Sequence, residues 1–119
     1  FPEDVQTDQS EAFLVSEMIR EKIFLNTRQE LPYSSAVSIE RLEELPGRDL
    51  VSISAKIHVE SESQKGILIG QGGKMIKKIG QAAREDLENF FESRVFLELL
   101  VKVDRNWSKD PRSLRRLGY

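Results

Sequence analysis

The sequence predicts a two-layer α+β sandwich in which helices cover one three-stranded sheet. Apolar and polar residues alternate over residues 50–60 and 94–103, which is the period of half-buried strands. Residues 10–25 and 74–91 instead place apolar side chains on one helical face. A chain of 119 residues has the size of one domain and can bury a core without disulfides or metals.

The first helix is expected to begin at Ser10, which would cap its N-terminus. The residues on its apolar face are Ala12, Val15, Ile19 and Ile23, widened by Leu14, Met18 and Leu25. Residues 1–9 are polar and are expected to form an irregular linker, and Leu31-Pro32 ends the helical region.

Two strands follow. Residues 35–45 begin with an alternation at Val37 and Ile39 that then loosens, whereas residues 50–60 alternate throughout. The segment 46–49 (PGRD) has the composition of a turn, so the two strands are expected to form an antiparallel hairpin. His58 falls on the polar face of the second strand and is expected to be exposed and without a role.

The second half predicts two helices, a third strand and a final helix. Residues 61–69 form a short helix capped by Ser61 or Ser63, and a glycine cluster separates it from the helix over 74–91. The apolar stripe of this longer helix is Ile76, Ile79, Ala83, Leu87 and Phe90, with Gly80 in the same stripe. The strand over 94–103 completes the order α-β-β-α-α-β, and residues 109–119 are predicted to form a short C-terminal helix.

Charge is distributed unevenly along the chain. The net charge of −2 and the pI of about 5.5 exclude a uniformly basic nucleic-acid coat. Residues 1–63 carry 13 acidic and 6 basic side chains, whereas residues 64–119 carry 7 acidic and 12 basic ones. Between Lys65 and Arg84 there are five basic residues and no acid. Because local potential steers an anionic ligand, nucleic acid is expected to bind this window.

Composition also excludes several kinds of chemistry. The chain has no cysteine and one histidine, so disulfides, thiolate catalysis and a zinc site are not expected. No nucleophile paired with a base is discernible, and we predict neither catalytic nor metal-binding residues. No apolar run approaches the ~20 residues that span a bilayer. Because the chain begins Phe1-Pro2 without a Met, it is interpreted as a processed chain or as part of a longer protein.

The glycine cluster at residues 70–73 admits three interpretations. A phosphate-binding P-loop requires a glycine where Leu68 stands and a Ser or Thr where Met75 stands. A dinucleotide fingerprint requires a third glycine, again in place of Met75, directly after a strand. Neither fits. The third interpretation is a Gly-x-x-Gly clamp between two helices, in which backbone without Cβ atoms lies against a sugar-phosphate chain.

In this clamp, the helix that begins at Lys74 offers its amides and the positive end of its dipole. Lysines add mobile charge, and Ile69 and Ile76 form one wall of a groove for unstacked bases. The candidate nucleic-acid-binding residues are therefore Ile69, Gly70, Gln71, Gly72, Gly73, Lys74, Ile76, Lys77 and Lys78.

The pattern Ile69-Gly70-x-x-Gly73-x-x-Ile76 resembles the signature of the KH domain, whose loop clamps about four nucleotides. The order of elements is similar to that of the type II KH domain. More specifically, the chain resembles the C-terminal KH domain of the Era family of ribosome-assembly GTPases. Further stretches that carry this resemblance are 1–4 (FPED), 16–22 (SEMIREK), 30–33 (ELPY), 97–103 (LELLVKV), Trp107 and 114–119 (LRRLGY).

This resemblance implies that residues 10–119 bind single-stranded RNA at the 3′ end of 16S rRNA during assembly of the 30S subunit. Residues 1–9 would then be a linker from a missing N-terminal GTPase domain, which would hold GTP and Mg²⁺. The fragment itself would have no cofactor and no enzymatic activity. The resemblance also implies a cytoplasmic protein that contacts the inner membrane surface through its full-length form, and no DNA partner.

One feature departs from the family pattern. KH loops often carry a basic residue between the two glycines, whereas Gln71 and Gly72 are neutral here. The attraction of phosphate would then fall to Lys74, Lys77 and Lys78. The alternative hypothesis is a protein-docking module, in which the helix over residues 10–25 packs on a GTPase domain or a ribosomal protein without contacting RNA. The roles of Trp107, Arg112, Arg115 and Arg116 stay open.

Overall fold

A computed structural model describes residues 3–27 and 35–104, the first eight of them by their backbone alone. Its elements are α1 (Glu3–Thr27), β1 (Ser35–Leu45), β2 (Leu50–Val59), α2 (Glu62–Ile69), a 3₁₀ turn (Gln71–Gly73), α3 (Lys74–Phe91) and β3 (Arg94–Val103). The predicted α+β class and element order are confirmed. The predicted C-terminal helix, Trp107 and the three C-terminal arginines lie outside the described residues.

Helix α1 differs from the prediction at its start. It begins at Glu3, so the expectation that residues 3–9 are irregular is wrong. This segment contains neither glycine nor proline, and extending an existing helix costs little once it is nucleated. The assignment of residues 1–9 to an interdomain linker stays a prediction.

One face of α1 is buried as expected. Val15, Ile19 and Ile23 are at most 1% exposed. Leu14 and Leu25, which were expected to widen this face, are 45% and 54% exposed. A helix turns by about 100° per residue, so a residue next to a core position in sequence already points well away from the core.

The sheet has the order β1-β2-β3. The central strand β2 is antiparallel to β1 and parallel to β3. The predicted hairpin is therefore confirmed. A bulge in β1 between Ile39 and Arg41 adds one residue to that strand. The bulge explains why the alternation loosens, because it lets both Ile39 and Leu42 pack against the core.

The core lies between the sheet and the three helices. It is built from the alternating face of β2 together with side chains of β1, β3 and the three α-helices, and its fully buried members include Ile53, Ile57, Val59, Leu68, Ile79 and Leu87. Phe90, predicted to be in the α3 stripe, is 40% exposed, and Phe91 packs against the core in its place. Phe91 lies about 40° around the helix from the buried Leu87 and Phe90 about 60°. Phe91 is therefore the ring that packs, partly buried, against the core.

The loop between α2 and α3 is a tight turn. Ser61 caps α2 by accepting a hydrogen bond from the Gln64 amide at 3.1 Å, as one of the two predicted caps. At the other end of α2, the Gly70 amide donates to the Gly66 carbonyl at 2.9 Å. The Gly73 amide then donates to the Gly70 carbonyl at 3.1 Å, which closes the turn directly before α3.

The glycines of this loop are required for two different reasons. Gly70, Gly72 and Gly73 all have positive φ, at 76°, 62° and 79°. A Cβ on Gly70 would also lie 2.7 Å from the Met75 Cβ and 2.8 Å from its amide nitrogen, whereas a Cβ on Gly72 or Gly73 would meet nothing within 4 Å. Gly70 therefore lets α3 approach α2 closely, and the other two only supply the backbone conformation.

His58 is buried, contrary to the expectation that it is exposed. It is 5% exposed, and its Nε2 lies 2.9 Å from the Ser38 Oγ while its Nδ1 lies 3.1 Å from an Asp104 carboxylate oxygen. The Asp104 amide also donates to the Val59 carbonyl at 2.7 Å. These bonds link β1, β2 and the residue after β3. Burial lowers the pKa of His58 below 6.5, and the hydrogen bond to Asp104 opposes this shift.

Replacing Gly70 by Ala should destabilise the fold more than replacing Gly73 by Ala. Both variants carry the cost of a left-handed side chain, about 1–2 kcal/mol, but only the first also forces a methyl group into Met75. Urea unfolding of both variants measures the difference. Equal losses of unfolding free energy would contradict the close approach of Gly70 and Met75.

The stability of the domain should fall as the pH is lowered through the ordinary histidine pKa of 6.5. Since the pKa of His58 is lowered in the fold, the unfolded chain binds a proton at a higher pH than the folded chain does. The free energy of unfolding therefore falls by at most about 1.4 kcal/mol for each pH unit below 6.5. Urea unfolding between about pH 7.5 and pH 5 measures this slope against a His58→Gln variant. Identical slopes would contradict a neutral, buried His58.

Candidate nucleic-acid interface

The start of α3 is open to solvent. Gly73 precedes the helix and supplies no side-chain cap, and Gln71 and Gly72 are exposed. The Lys74 amide closes the 3₁₀ turn by donating to the Gln71 carbonyl. The first turn of α3 contains no acidic residue, so no carboxylate of this turn offsets the positive end of the helix dipole. The arrangement suits an anion held against backbone.

The lysines of α3 surround this open end. Lys74, Lys77 and Lys78 are exposed as predicted, and none of them forms a salt bridge within residues 11–27 and 35–104. By contrast, Lys22 on α1 bonds the Asp86 carboxylate at 2.7 Å, and its pKa is raised chiefly by that hydrogen bond. In this part of the molecule the α3 lysines are therefore available to a polyanion.

A groove of about 370 Å³ runs between α3 and β3. The residues that line it are Ile76, Lys77, Gly80, Gln81, Arg84, Leu97 and Leu99. Ile76 was predicted to form one wall, and this is its position. Ile69, predicted beside it, instead packs partly buried against the core at the end of α2. Ile69 is the last residue of α2 and directly follows Leu68, which is fully buried.

The second wall was not predicted from the sequence. Leu97 and Leu99 lie on the helix-facing side of β3, which is half-buried because β3 pairs only with β2 in the described sheet. The alternation of β3 indicates their face, but the parallel pairing that sets them opposite α3 joins segments far apart in sequence. From the sequence, Arg84 was assigned only to the basic window.

No group of three or more His, Cys, Asp or Glu side chains among the described residues is placed to hold a metal ion. None of the helices in the described ranges is both long enough and apolar enough to cross a bilayer.

Known proteins resemble this chain closely. GTPase Era of Syntrophus aciditrophicus (strain SB) is 58% identical over 119 residues, which are all of this chain and 39% of that protein. GTPase Era of Geobacter metallireducens is 51% identical over the same span, which is 40% of its length. The chain thus spans about two fifths of the curated relatives that it matches.

Solved structures of the same kind share the fold. Era in complex with MgGDPNP and nucleotides 1506–1542 of 16S ribosomal RNA superposes with a TM-score of 0.85 and 38% identity, over 91% of this chain and 36% of that one. An Aquifex aeolicus Era variant bound to GDP·AlF4⁻ matches equally well, with a TM-score of 0.85. The family model of the KH domain matches residues 30–108. The chain therefore belongs to the KH-domain family.

Proposed function

We propose that this chain is the RNA-binding domain of an Era-type GTPase and binds single-stranded RNA at the 3′ end of 16S rRNA during 30S assembly. The observation that carries the proposal is the glycine-rich turn at the exposed start of α3, beside lysines that no described carboxylate neutralises. The related Era complex with 16S rRNA nucleotides supports the choice of RNA.

The turn would bind RNA through its sugar-phosphate backbone. The outer side of Gly72 and Gly73 has open space, so a phosphate could approach the peptide groups directly. The dipole of α3 favours negative charge at this end, and Lys74, Lys77 and Lys78 add charge over the first helical turns. Because Gln71 and Gly72 are neutral, these lysines supply the charge that other KH loops carry between their glycines.

The groove beside the turn accounts for the preference for single strands. It is open at the surface and has apolar walls from Ile76, Leu97 and Leu99. Bases must leave a duplex before they can enter such a groove with their faces against apolar side chains. We therefore expect weak binding to double-stranded RNA. The expectation of no DNA partner comes from the family resemblance and not from the groove. Ile69, Gly70 and Gln71 would support the turn.

The remaining expectations concern the rest of such a protein. GTP and Mg²⁺ would bind a GTPase domain outside this chain, and the chain itself would bind RNA without catalysis. The complete protein would act in the cytoplasm on the 30S subunit and meet the inner membrane surface. The names of the relatives, which are both GTPase Era, support a GTPase domain in the complete protein. The site of action and the contacts with the 30S subunit and the membrane are proposed from the family resemblance.

A second candidate function is favoured by one observation on α1. Phe13, Leu14, Phe24 and Leu25 are 44–60% exposed. Phe13 and Phe24 are eleven residues apart, which is close to three helical turns, so they lie on the same side of α1, and the two leucines repeat the pattern. This surface could pack on a GTPase domain or a ribosomal protein, and such docking is compatible with RNA binding at α3.

Replacing Gly72 by Asp should weaken RNA binding at least tenfold, because a carboxylate would face the bound phosphates. The matched control is Gly72→Asn, which has the same shape and the same tolerance of positive φ but no charge. Fluorescence anisotropy with a labelled RNA from the 3′ end of 16S rRNA gives both affinities. A salt titration should show a log–log slope worth only a few phosphates.

Equal affinities for Gly72→Asp, Gly72→Asn and the wild-type chain would contradict a phosphate contact at this turn. A wild-type chain without measurable RNA affinity at low salt would favour the docking hypothesis instead.

A Phe13→Ser/Phe24→Ser variant should keep its RNA affinity and lose any binding to the GTPase portion of an Era-type protein. The two rings lie on α1 and are not among the residues that line the groove. Phe96→Ser is the control, since Phe96 is 51% exposed on the sheet. Calorimetric titration against that portion and anisotropy with RNA measure the two effects. Loss of RNA affinity in the α1 variant would mean that RNA contacts α1, which would contradict the proposed site at α3.

A further inference from the structure

The groove between α3 and β3 owes its width to a missing side chain. Gly80 lies on α3 one turn after Ile76 and lines the groove opposite Leu99. A Cβ on Gly80 would lie 3.6 Å from the Leu99 Cδ1, which is ordinary van der Waals contact. Any side chain at position 80 would therefore bridge the groove at this point.

Neither the backbone nor the packing of α3 explains this glycine. Gly80 has no positive φ, and a methyl group there would clash with nothing. In a helix interior, glycine is about 1 kcal/mol less favourable than alanine. The helix thus gives up stability at Gly80, which is the pattern expected where a ligand approaches the backbone.

The rim of the groove at Gly80 carries hydrogen-bond donors. Lys77, Gln81 and Arg84 follow one another at helical spacing and line the groove over about 10 Å of the α3 axis. No described carboxylate forms a salt bridge with Lys77 or Arg84. Apolar walls with a donor-rich rim match the flat face and the acceptor-rich edge of one base.

We infer that Gly80 forms a notch that admits one unstacked base between α3 and Leu99, with the edge of that base facing Lys77, Gln81 and Arg84. This inference rests on the proposed function and adds a residue that decides which part of the RNA fits. The turn at residues 70–73 then binds the backbone, and the notch binds a base two helical turns further along α3.

Gly80→Ala and Gly80→Leu test the notch. Both should raise the melting temperature and weaken RNA binding, with Kd rising roughly tenfold, the loss expected when one base gives up its packing. The leucine should weaken binding more than the alanine. Gly66→Ala is the matched control, because Gly66 also lies within a helix but outside the groove, and a Cβ there would meet nothing within 4 Å. It should raise the melting temperature and leave Kd unchanged.

A series of RNAs with one abasic nucleotide at each position identifies the base. At one position the abasic RNA should bind the wild-type chain as weakly as the intact RNA binds Gly80→Leu, with no further loss when the two changes are combined. Additive losses at every position would overturn the notch. The notch would also be overturned if both Gly80 variants bound RNA with wild-type affinity while Gly72→Asp still weakened binding. That result would leave the proposed function intact. A wild-type chain that binds no RNA would overturn both.

Discussion

The close approach of Gly70 to Met75 determines how α2 and α3 meet. The space that a Cβ would occupy at Gly70 is filled by the first turn of α3. Because no other residue type fits there, the two helices turn within four residues and the start of α3 is left at the surface. The lysines, the helix dipole and the groove all take their positions from this turn, since each belongs to α3 or to the space beside it.

The parallel pairing of β2 with β3 is the second constraint. It places β3 next to α3 and leaves Leu97 and Leu99 half-buried, so that an apolar wall faces the lysine-bearing helix. A chain with net charge −2 can in this way present a local surface suited to a polyanion, because its acidic residues are concentrated in the first half. The separate contributions of backbone, charge and groove predict binding that depends only moderately on salt.

Local patterns predicted the elements well and the contacts between distant segments poorly. The bounds of β1, α3 and β3 follow from alternation, helical periodicity and turn residues that lie within the same segment. The predictions for the start of α1, for a buried Phe90 and for an exposed His58 were wrong. His58 is covered through Ser38 and Asp104, which are distant in sequence, and period-two alternation carries no information about such partners.

The candidate site divides in the same way. The turn and the lysines could be predicted because a Gly-x-x-Gly segment and its flanking charges are contiguous. The wall formed by Leu97 and Leu99, and the position of Arg84 at the rim, depend on tertiary pairing. Gly80 was noticed as a gap in the apolar stripe, but its neighbour Leu99 is known only from the fold.

NMR chemical-shift mapping with a short RNA from the 3′ end of 16S rRNA tests the central claim most directly, because it reports every backbone amide at once. The largest shifts should fall on residues 70–78, followed by those that line the groove on α3 and β3. Shifts concentrated on α1 or on the sheet face that carries Phe96 and Leu100, with the turn unaffected, would contradict the account.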